Sequence, residues 1–260
     1  MIPKIIHYCW YGGKPLNDLS EKCIQSWKKY CPDYEIIRWD ESNTDLNSNQ
    51  FMKEAYDNKK WAFVSDVMRL KVLYEYGGVY MDTDVELIKP IDSFLNNNSF
   101  VGFDDECDIN TGIIGTNKNL PIFHELMAYY NTKNFVKSDG SLDLTTNVTI
   151  ITNILEKYGL VKDNSQQTLS VSGGGVAIYP KEFFCPKDSG TGAINITENT
   201  YTIHYFDGTW LSDEDKYAEK LRFKLIKFCP RKLSYYISAF IACVKYNGFK
   251  VTMAKIFRNR

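Results

Sequence analysis

The sequence feature that most constrains the fold is a run from residue 61 to residue 84. Apolar residues recur around nearly the whole circumference of a predicted helix over 61–76, and Gly77-Gly78 follow where a left-handed helix cap favours glycine. Val79-Tyr80-Met81 then predicts a short buried strand, which runs directly into Asp82-Thr83-Asp84. A buried helix, a glycine cap and a buried strand in this order are typical of an α/β fold.

The remaining hydrophobic patterns continue this alternation of helices and strands. The predicted strands cover 4–9, 34–39, 85–88, 100–103, 113–116 and 201–205. The further predicted helices cover 18–30, 122–130 and 147–158. We therefore expect an α/β sandwich with a largely parallel sheet flanked by helices.

Length and cysteine usage fit one large core in a reducing compartment. The chain has 260 residues, 44% of them hydrophobic, which is enough for a single domain plus an extension. Its seven cysteines are odd in number and never form a CxxC pair, so neither a disulfide framework nor a zinc site is expected. The first ten residues lack the basic start and long apolar run of a signal peptide, and we expect a cytoplasmic protein.

Charge divides the sequence into an acidic body and a basic tail. Residues 216–260 hold twelve Lys and Arg residues and a single acidic residue, Glu219. A total formal charge of −1 therefore leaves −12 on residues 1–215. We predict one domain over residues 1–215 and a basic amphipathic helical tail over 216–260 that meets an anionic partner. The acidic body disfavours nucleic acid as that partner.

Apolar residues of the tail follow a helical stripe. The stripe consists of Leu233, Tyr236, Ile237, Phe240, Ile241 and Val244. The uncharged stretch 233–244 is too short to span a bilayer, which takes roughly 20 apolar residues. We expect the tail to lie on an anionic membrane surface at the inner face of the plasma membrane, and packing of the stripe on the domain is the alternative.

Asp82 and Asp84 stand two residues apart at the end of the predicted strand. Both carboxylates can therefore point the same way at the carboxyl edge of the sheet. Carboxylate oxygens are hard ligands that bind Mg²⁺ or Mn²⁺ and leave coordination positions for substrate phosphates. A solvated turn is the alternative, but the buried strand before the triplet favours a metal site.

Two charged residues lie within the apolar helix that precedes the triplet. Asp66 and Arg69 are three residues apart, so they share one helix face among apolar neighbours. Because an unpaired buried charge costs several kcal/mol, each of them needs a partner. A structural salt bridge between the two would meet that need. The functional alternative is a sugar hydroxyl for Asp66 and a phosphate or sugar for Arg69.

Together these residues resemble a known signature. It comprises Trp61, Ser65-Asp66, Arg69, Tyr74, Gly77-Gly78-Val79-Tyr80 and Asp82-x-Asp84. The run resembles the family 32 glycosyltransferases, a DXD group with capsular polysaccharide enzymes and yeast initiating mannosyltransferases, and is similar to the catalytic core of clostridial glucosylating toxins. Ile2-Pro3-Lys4-Ile5-Ile6-His7 and His204-x5-Trp210 resemble the first strand and closing motif of the same family, so the likeness covers roughly residues 1–210.

The resemblance implies a GT-A type fold, with a Rossmann-like nucleotide-binding sheet, and a retaining hexosyltransferase. Asp82 and Asp84 would bind Mn²⁺ or Mg²⁺ on the donor diphosphate, while Asp66 and Arg69 would bind the donor sugar; these four are the predicted catalytic residues. His204 would complete the metal shell, and a hydrogen-bonded core histidine is its alternative. A hexose or N-acetylhexosamine would pass from a nucleotide sugar, a UDP-sugar by analogy, to a lipid-linked saccharide in capsule, exopolysaccharide or O-antigen synthesis.

Further contacts with the donor are predicted around the signature. The predicted donor-binding side chains are Trp10, Tyr11, Trp61, Asp66, Arg69, Tyr80, Asp82, Thr83, Asn110 and Trp210. Trp10 and Tyr11 could stack on the donor base, and Trp210 could cover the diphosphate. Packing in the core is the alternative for these aromatic side chains.

Two other function classes remain open at this point. The strand over 79–85 also resembles the nucleophile strand of haloacid dehalogenase-like phosphatases, with Asp82 as nucleophile, although the later lysine and Ser/Thr motifs of that family cannot be placed. A non-catalytic polysaccharide-binding protein is the other alternative, and it predicts no hydrolysis of a sugar donor in the presence of Mn²⁺.

Overall fold

The computed structural model describes residues 1–104, 107–188, 190–208 and 211–258. Within these ranges the chain forms nine α-helices, one short 3-10 helix over Asp92–Phe94 and nine strands. The helices are α1 (Asp18–Tyr30), α2 (Gln50–Asp57), α3 (Trp61–Tyr76), α4 (Pro121–Asn131), α5 (Asn147–Glu156), α6 (Lys181–Phe184), α7 (Asp213–Leu225), α8 (Arg231–Asn247) and α9 (Phe249–Arg258). The strands are β1 (Ile5–Cys9), β2 (Glu35–Trp39), β3 (Gly78–Met81), β4 (Val85–Leu87), β5 (Ser99–Phe103), β6 (Ile109–Thr116), β7 (Gln167–Val171), β8 (Gly174–Tyr179) and β9 (Thr202–His204).

The strands form a large mixed sheet and a small second sheet. The large sheet has the order β2-β1-β3-β6-β5-β8-β7. Strands β6 and β7 run against their neighbours, whereas the other five strands share one direction. Strands β4 and β9 pair antiparallel in the small sheet. The predicted largely parallel α/β sheet is confirmed, and the antiparallel β6 lies directly beside the strand that leads to Asp82.

Helices cover the large sheet on both faces. Because side chains alternate along a strand, Val79 and Met81 of β3 belong to one buried cluster and Tyr80 belongs to the other. The first cluster includes Trp27 of α1, and the second includes Phe51 of α2 together with apolar residues of α3, α4 and α5. Each face of β3 is therefore packed, which fixes the direction in which the strand delivers Asp82.

An asparagine marks the start of α1 and a glycine marks the end of α3. The side chain of Asn17 accepts a hydrogen bond from the backbone N–H of Ser20 and begins α1. Helix α3 ends at Gly77, which has a φ of 68° and whose N–H donates to the Leu73 carbonyl. A Cβ at Gly77 would lie 2.7 Å from the backbone nitrogen of Lys118, so both conformation and space require glycine here.

A buried histidine ties β1 to the cap of α3. His7 is fully buried, and its Nδ1 accepts a hydrogen bond from the indole N–H of Trp39 on β2 at 3.1 Å. Its Nε2 lies 2.9 Å from the Gly77 carbonyl, which can only accept, so the neutral ring carries its proton on Nε2. Burial lowers the pKa of His7. The histidine is thus a neutral connector beneath the turn that starts β3.

The chain divides into two compact units. The first contains residues 1–186 and 195–205, with both sheets and helices α1 to α6. The second contains residues 187–194 and 206–260, with helices α7, α8 and α9. The predicted boundary after residue 215 falls within α7. In the described ranges, no helix is long and apolar enough to cross a membrane.

Candidate active site

The Asp-x-Asp triplet lies where the two sheets meet. The backbone N–H of Asp82 donates to the Gly112 carbonyl of β6 at 2.9 Å, which continues the pairing of β3 with β6. The Asp84 carbonyl accepts from the N–H of Tyr205 at 3.0 Å, and Val85 pairs with His204 across β4 and β9. Backbone pairing therefore fixes both aspartates and brings His204 beside them.

Asp82, Asp84 and His204 form a candidate metal site. Each offers one ligand atom, and these three atoms lie within 4.8 Å of one another. Nε2 of His204 lies 3.4 Å from Oδ1 of Asp84. Two carboxylates and an imidazole suit a divalent cation such as Mn²⁺ or Mg²⁺, and side-chain exposures of 26% for Asp82 and 15% for Asp84 leave the site accessible. The donor set fits the predicted cation.

Arg69 connects the triplet to helix α3. One terminal nitrogen of its guanidinium lies 3.1 Å from Asp66 and 3.3 Å from Asp82. The other donates to the Thr111 carbonyl at 2.7 Å, and the planar group lies over the ring of Tyr80. Arg69 is only 4% exposed. The salt bridge between Arg69 and Asp66 is therefore present, and the Arg69 guanidinium also orients Asp82.

Asp66 is a buried carboxylate with an unusual pKa. Burial raises the pKa of Asp66 to about 6, while the charge of Arg69 and hydrogen bonding from Asn147 oppose that rise. The backbone N–H of Asn147 points to Oδ2 of Asp66 at 3.4 Å, and the Asn147 amide donates to the Asp66 carbonyl at 3.0 Å. The first residue of helix α5 thus contacts Asp66 and helps to hold its side chain in place.

His204 carries a proton in this arrangement. Burial alone would lower the pKa of His204, but the neighbouring Asp84 carboxylate outweighs burial and raises it to about 10. An imidazole must be neutral to bind a metal, so cation binding here releases that proton. The site therefore couples metal affinity to pH.

Asn110 and Gly112 shape the wall beside His204. Oδ1 of Asn110 accepts from the backbone N–H of Gly112 at 2.8 Å. Asn110 is 3% exposed, and its amide nitrogen has no hydrogen-bond partner among the described residues. A Cβ on Gly112 would lie 2.7 Å from the His204 ring, so glycine leaves the space that the ring occupies. The Asn110 amide N–H is thus a buried donor beside His204.

The aromatic side chains after β1 lie close to the start of α3. The Tyr11 hydroxyl is hydrogen-bonded to Thr44 at 2.9 Å, and Tyr11 is buried in the core. A Cβ on Gly12 would lie 2.7 Å from the indole nitrogen of Trp61, so this loop contacts Trp61 directly. The indole N–H of Trp10 donates to the Lys14 carbonyl. The predicted stacking of Trp10 and Tyr11 on a donor base stays a prediction.

The other predicted residues divide between the site and the undescribed part of the chain. Tyr80 is buried, and its hydroxyl donates to Oδ1 of Asp82 at 3.0 Å. Thr83 lies between the two aspartates and is half-buried. Trp210 lies outside the described residues. The structure thus brings Asp66, Arg69, Tyr80, Asp82, Asp84 and His204 into one network.

Three site residues were not predicted from the sequence. They are Thr111, whose carbonyl accepts from Arg69, Gly112 beside His204, and Asn147 beside Asp66. Thr111 acts through its backbone, so its side-chain type carries no signal. The polar N-terminus of the predicted helix over 147–158 was the available signal for Asn147.

Fold and site together define a class of protein: an α/β domain with an Asp-x-Asp triplet in a candidate metal site. Residues 17–101 match a family model described as "Glycosyltransferase sugar-binding region containing DXD motif". This part of the chain is therefore similar to the sugar-binding region of DXD glycosyltransferases. The sheet order and the position of the triplet between the two sheets agree with the predicted GT-A type fold.

Curated relatives match part of the chain. Inositol phosphoceramide mannosyltransferase 3 of Schizosaccharomyces pombe is 30% identical over 133 residues, which cover 48% of this chain and 36% of the relative. Mannosyl phosphorylinositol ceramide synthase CSH1 of Saccharomyces cerevisiae is 28% identical over 134 residues, covering 47% and 34%. The chain thus spans about a third of the length of these relatives.

Solved glycosyltransferase structures show a more distant likeness. The PaToxG glycosyltransferase aligns over 60% of this chain and 68% of its own, with a TM-score of 0.46 and 21% identity. The galactosyltransferase LgtC, solved with donor and acceptor sugar analogues, aligns over 87% of this chain and 96% of its own, with a TM-score of 0.45 and 14% identity.

Proposed function

We propose that the chain is a metal-dependent, retaining hexosyltransferase. It transfers a hexose or N-acetylhexosamine from a nucleoside diphosphate sugar, with a UDP-sugar as the expected donor, to a saccharide acceptor carried on a lipid. The observation that carries this proposal is the cluster of Asp82, Asp84 and His204 connected through Arg69 to Asp66. The family match over residues 17–101 supports the reaction class.

The names of the relatives support a lipid-borne acceptor. They are called inositol phosphoceramide mannosyltransferases and mannosyl phosphorylinositol ceramide synthases. Mannose is therefore one of the candidates for the transferred hexose. Capsule, exopolysaccharide or O-antigen synthesis is the proposed setting, as the sequence resemblance implies. A cytoplasmic location at the inner face of the plasma membrane stays a prediction.

Each residue of the candidate site would have a separate role in this reaction. When bound by Asp82, Asp84 and His204, a divalent cation supplies positive charge that neutralises the diphosphate. Arg69 keeps the Asp82 carboxylate turned toward the site and keeps Asp66 charged. Asp66 accepts hydrogen bonds from donor-sugar hydroxyls, and the amide N–H of Asn110, which has no partner among the described residues, donates to a sugar oxygen.

The proposed chemical step is attack on the face from which the diphosphate departs. The acceptor oxygen bonds to the anomeric carbon as the bond from that carbon to the phosphate oxygen breaks. The acceptor hydroxyl proton passes to the departing phosphate. The configuration of the anomeric carbon is therefore retained.

A donor panel tests this function. The chain is incubated with Mn²⁺ and separately with UDP-glucose, UDP-galactose, UDP-N-acetylhexosamines and GDP-mannose, and released nucleotide is measured. We expect one preferred donor, and we expect Asp84→Asn to lower its turnover by about a hundredfold or more, since a metal contributes several kcal/mol to the transition state.

A matched variant controls for loss of a carboxylate elsewhere. Asp57→Asn removes an exposed carboxylate that pairs with Lys53 at the end of α2, so turnover should stay at the wild-type level. Unchanged turnover in Asp84→Asn would show the metal assignment to be wrong. Absence of nucleotide release with every donor would favour a non-catalytic sugar-binding role.

A further inference from the structure

Helix α8 of the second unit is packed with its small side chains inward. Helix α8 packs against α7, and its buried residues are Ser234, Ser238 and Ala242, each at most 2% exposed. These positions are four residues apart and form one face of the helix. The amide of Asn247 donates to Glu214 of α7 at 2.8 Å and adds a polar contact to this interface.

Three large apolar side chains of α8 lie on the opposite face. Tyr236 is 69% exposed, Leu233 49% and Phe240 37%. Phe249, at the start of α9, is 60% exposed, and its ring lies 6.5 Å from that of Phe240. We call Leu233, Tyr236, Phe240 and Phe249 the outer face. In water the usual order is the reverse, with large apolar side chains inside and small or polar ones outside.

The surroundings of the outer face are basic. Lys224, Lys227 and Lys232 are exposed at the end of α7 and the start of α8, and Lys250 is exposed beside Phe249. From residue 216 onward the single acidic residue is Glu219, which pairs with Arg222. Aromatic side chains bordered by lysines match the polarity of an anionic bilayer interface, where rings enter the headgroup layer and ammonium groups meet phosphates.

We propose that the outer face docks on an anionic lipid surface. Its aromatic rings enter the headgroup layer, and the neighbouring lysines contact the lipid phosphates. The occupant is a lipid surface rather than a second copy, because two copies would bring a formal +11 from residues 216–260 against another +11. Helices α8 and α9 contain 17 and 10 residues and would lie in the interface plane. The proposal does not depend on which sugar the chain transfers.

Sedimentation of the whole chain with vesicles tests the apolar contribution. Vesicles of phosphatidylcholine alone are compared with vesicles that contain about a third phosphatidylglycerol. We expect binding to the anionic vesicles alone. Tyr236→Ser/Phe240→Ser should lower the partition constant by about tenfold or more, because two rings lose their place in the interface. The control is Val161→Ser/Ile196→Ser, which removes two side chains of the first unit that are 56% and 58% exposed.

A second pair of variants tests the charge contribution. Lys227→Gln/Lys232→Gln should weaken binding severalfold, whereas Lys28→Gln/Lys29→Gln, on exposed positions of α1, should not. Raising the salt from about 0.1 M to about 1 M shortens the screening length from about 10 Å to about 3 Å and should also weaken binding. Circular dichroism and thermal melts check that all variants are folded.

Three results would overturn the proposal. The first is unchanged vesicle binding in both Tyr236→Ser/Phe240→Ser and Lys227→Gln/Lys232→Gln. The second is an equal loss of binding in the matched controls. The third is a chain that ignores vesicles but forms a dimer in gel filtration that Tyr236→Ser/Phe240→Ser dissociates, since the occupant of the outer face would then be another copy.

Discussion

At the scale of single residues, Arg69 is the group on which the site geometry depends most. It contacts Asp66, Asp82 and the Thr111 carbonyl while almost fully buried. Lysine could not serve in its place, because a single ammonium group cannot reach the same set of acceptors as a planar guanidinium. The residue therefore joins a helix, a strand end and a neighbouring strand.

Loss of the Arg69 guanidinium should destabilise the whole domain. Arg69→Met leaves the Asp66 and Asp82 carboxylates without their buried partner, so the free energy of unfolding should fall by about 3–5 kcal/mol. Urea unfolding measures the change. Lys53→Met, which breaks an exposed pair with Asp57, should change it by less than about 1 kcal/mol. Equal losses in both variants would contradict a special role for Arg69.

The pKa of Asp66 predicts an acid limit of activity. Because that pKa is about 6, Asp66 gains a proton as the pH falls through 6 and loses its charge toward Arg69. We expect kcat/KM to fall below that pH. Asn147→Ala removes the side-chain contribution that lowers the pKa of Asp66 but keeps the larger backbone contribution, so its acid limit should move only slightly to higher pH. Asn134→Ala, at an exposed position, should keep the wild-type profile.

The sequence predicted the charged members of the site but not their supports. Asp66, Arg69, Asp82, Asp84 and His204 could be found because charged or metal-binding side chains stood out beside apolar segments. Gly112 leaves space for the His204 ring, and Asn147 holds Asp66 in place. Both roles depend on contacts between segments that are distant in sequence. Their positions along the sequence therefore gave no sign that they belong to the site.

At the scale of helices and strands, strongly patterned segments were predicted well. Helices α1 and α3 have their predicted bounds, since an Asn cap and a Gly-Gly stop mark their ends. Helix α2 was missed because it is only eight residues long. Strand β8, which begins at Gly174-Gly175, was also missed. Glycines have no side chains, so the alternation of a strand is hidden there.

The cap of α3 should be sensitive to a single methyl group. Gly77→Ala forces a residue with a Cβ into a φ of 68° and ψ of −165°, against the backbone of Lys118. The free energy of unfolding should fall by about 1–3 kcal/mol. Gly140→Ala is the matched control, because Gly140 also has a positive φ but faces open space. A chemical-denaturation series on both variants separates the clash from the backbone strain.

At the scale of the whole molecule, cation binding should stabilise the fold in a pH-dependent way. The pKa of His204 is raised to about 10, so below that pH a cation must displace the His204 proton, and its affinity grows as the pH rises. The shift of Tm caused by Mn²⁺ should therefore be larger at about pH 8 than at about pH 6. His204→Ala should reduce that shift and remove most of its pH dependence. An identical shift at both pH values in the wild type would contradict the metal role of His204.

The pairing of β4 with β9 has a consequence for biosynthesis. Val85 lies opposite His204, so the imidazole reaches the two aspartates after more than a hundred further residues have been made. A ribosome-bound nascent chain that ends before β9 contains the Asp-x-Asp pair without its third ligand. Metal capture by all three side chains would thus report that the last strand of the domain has docked, and it would do so late in translation.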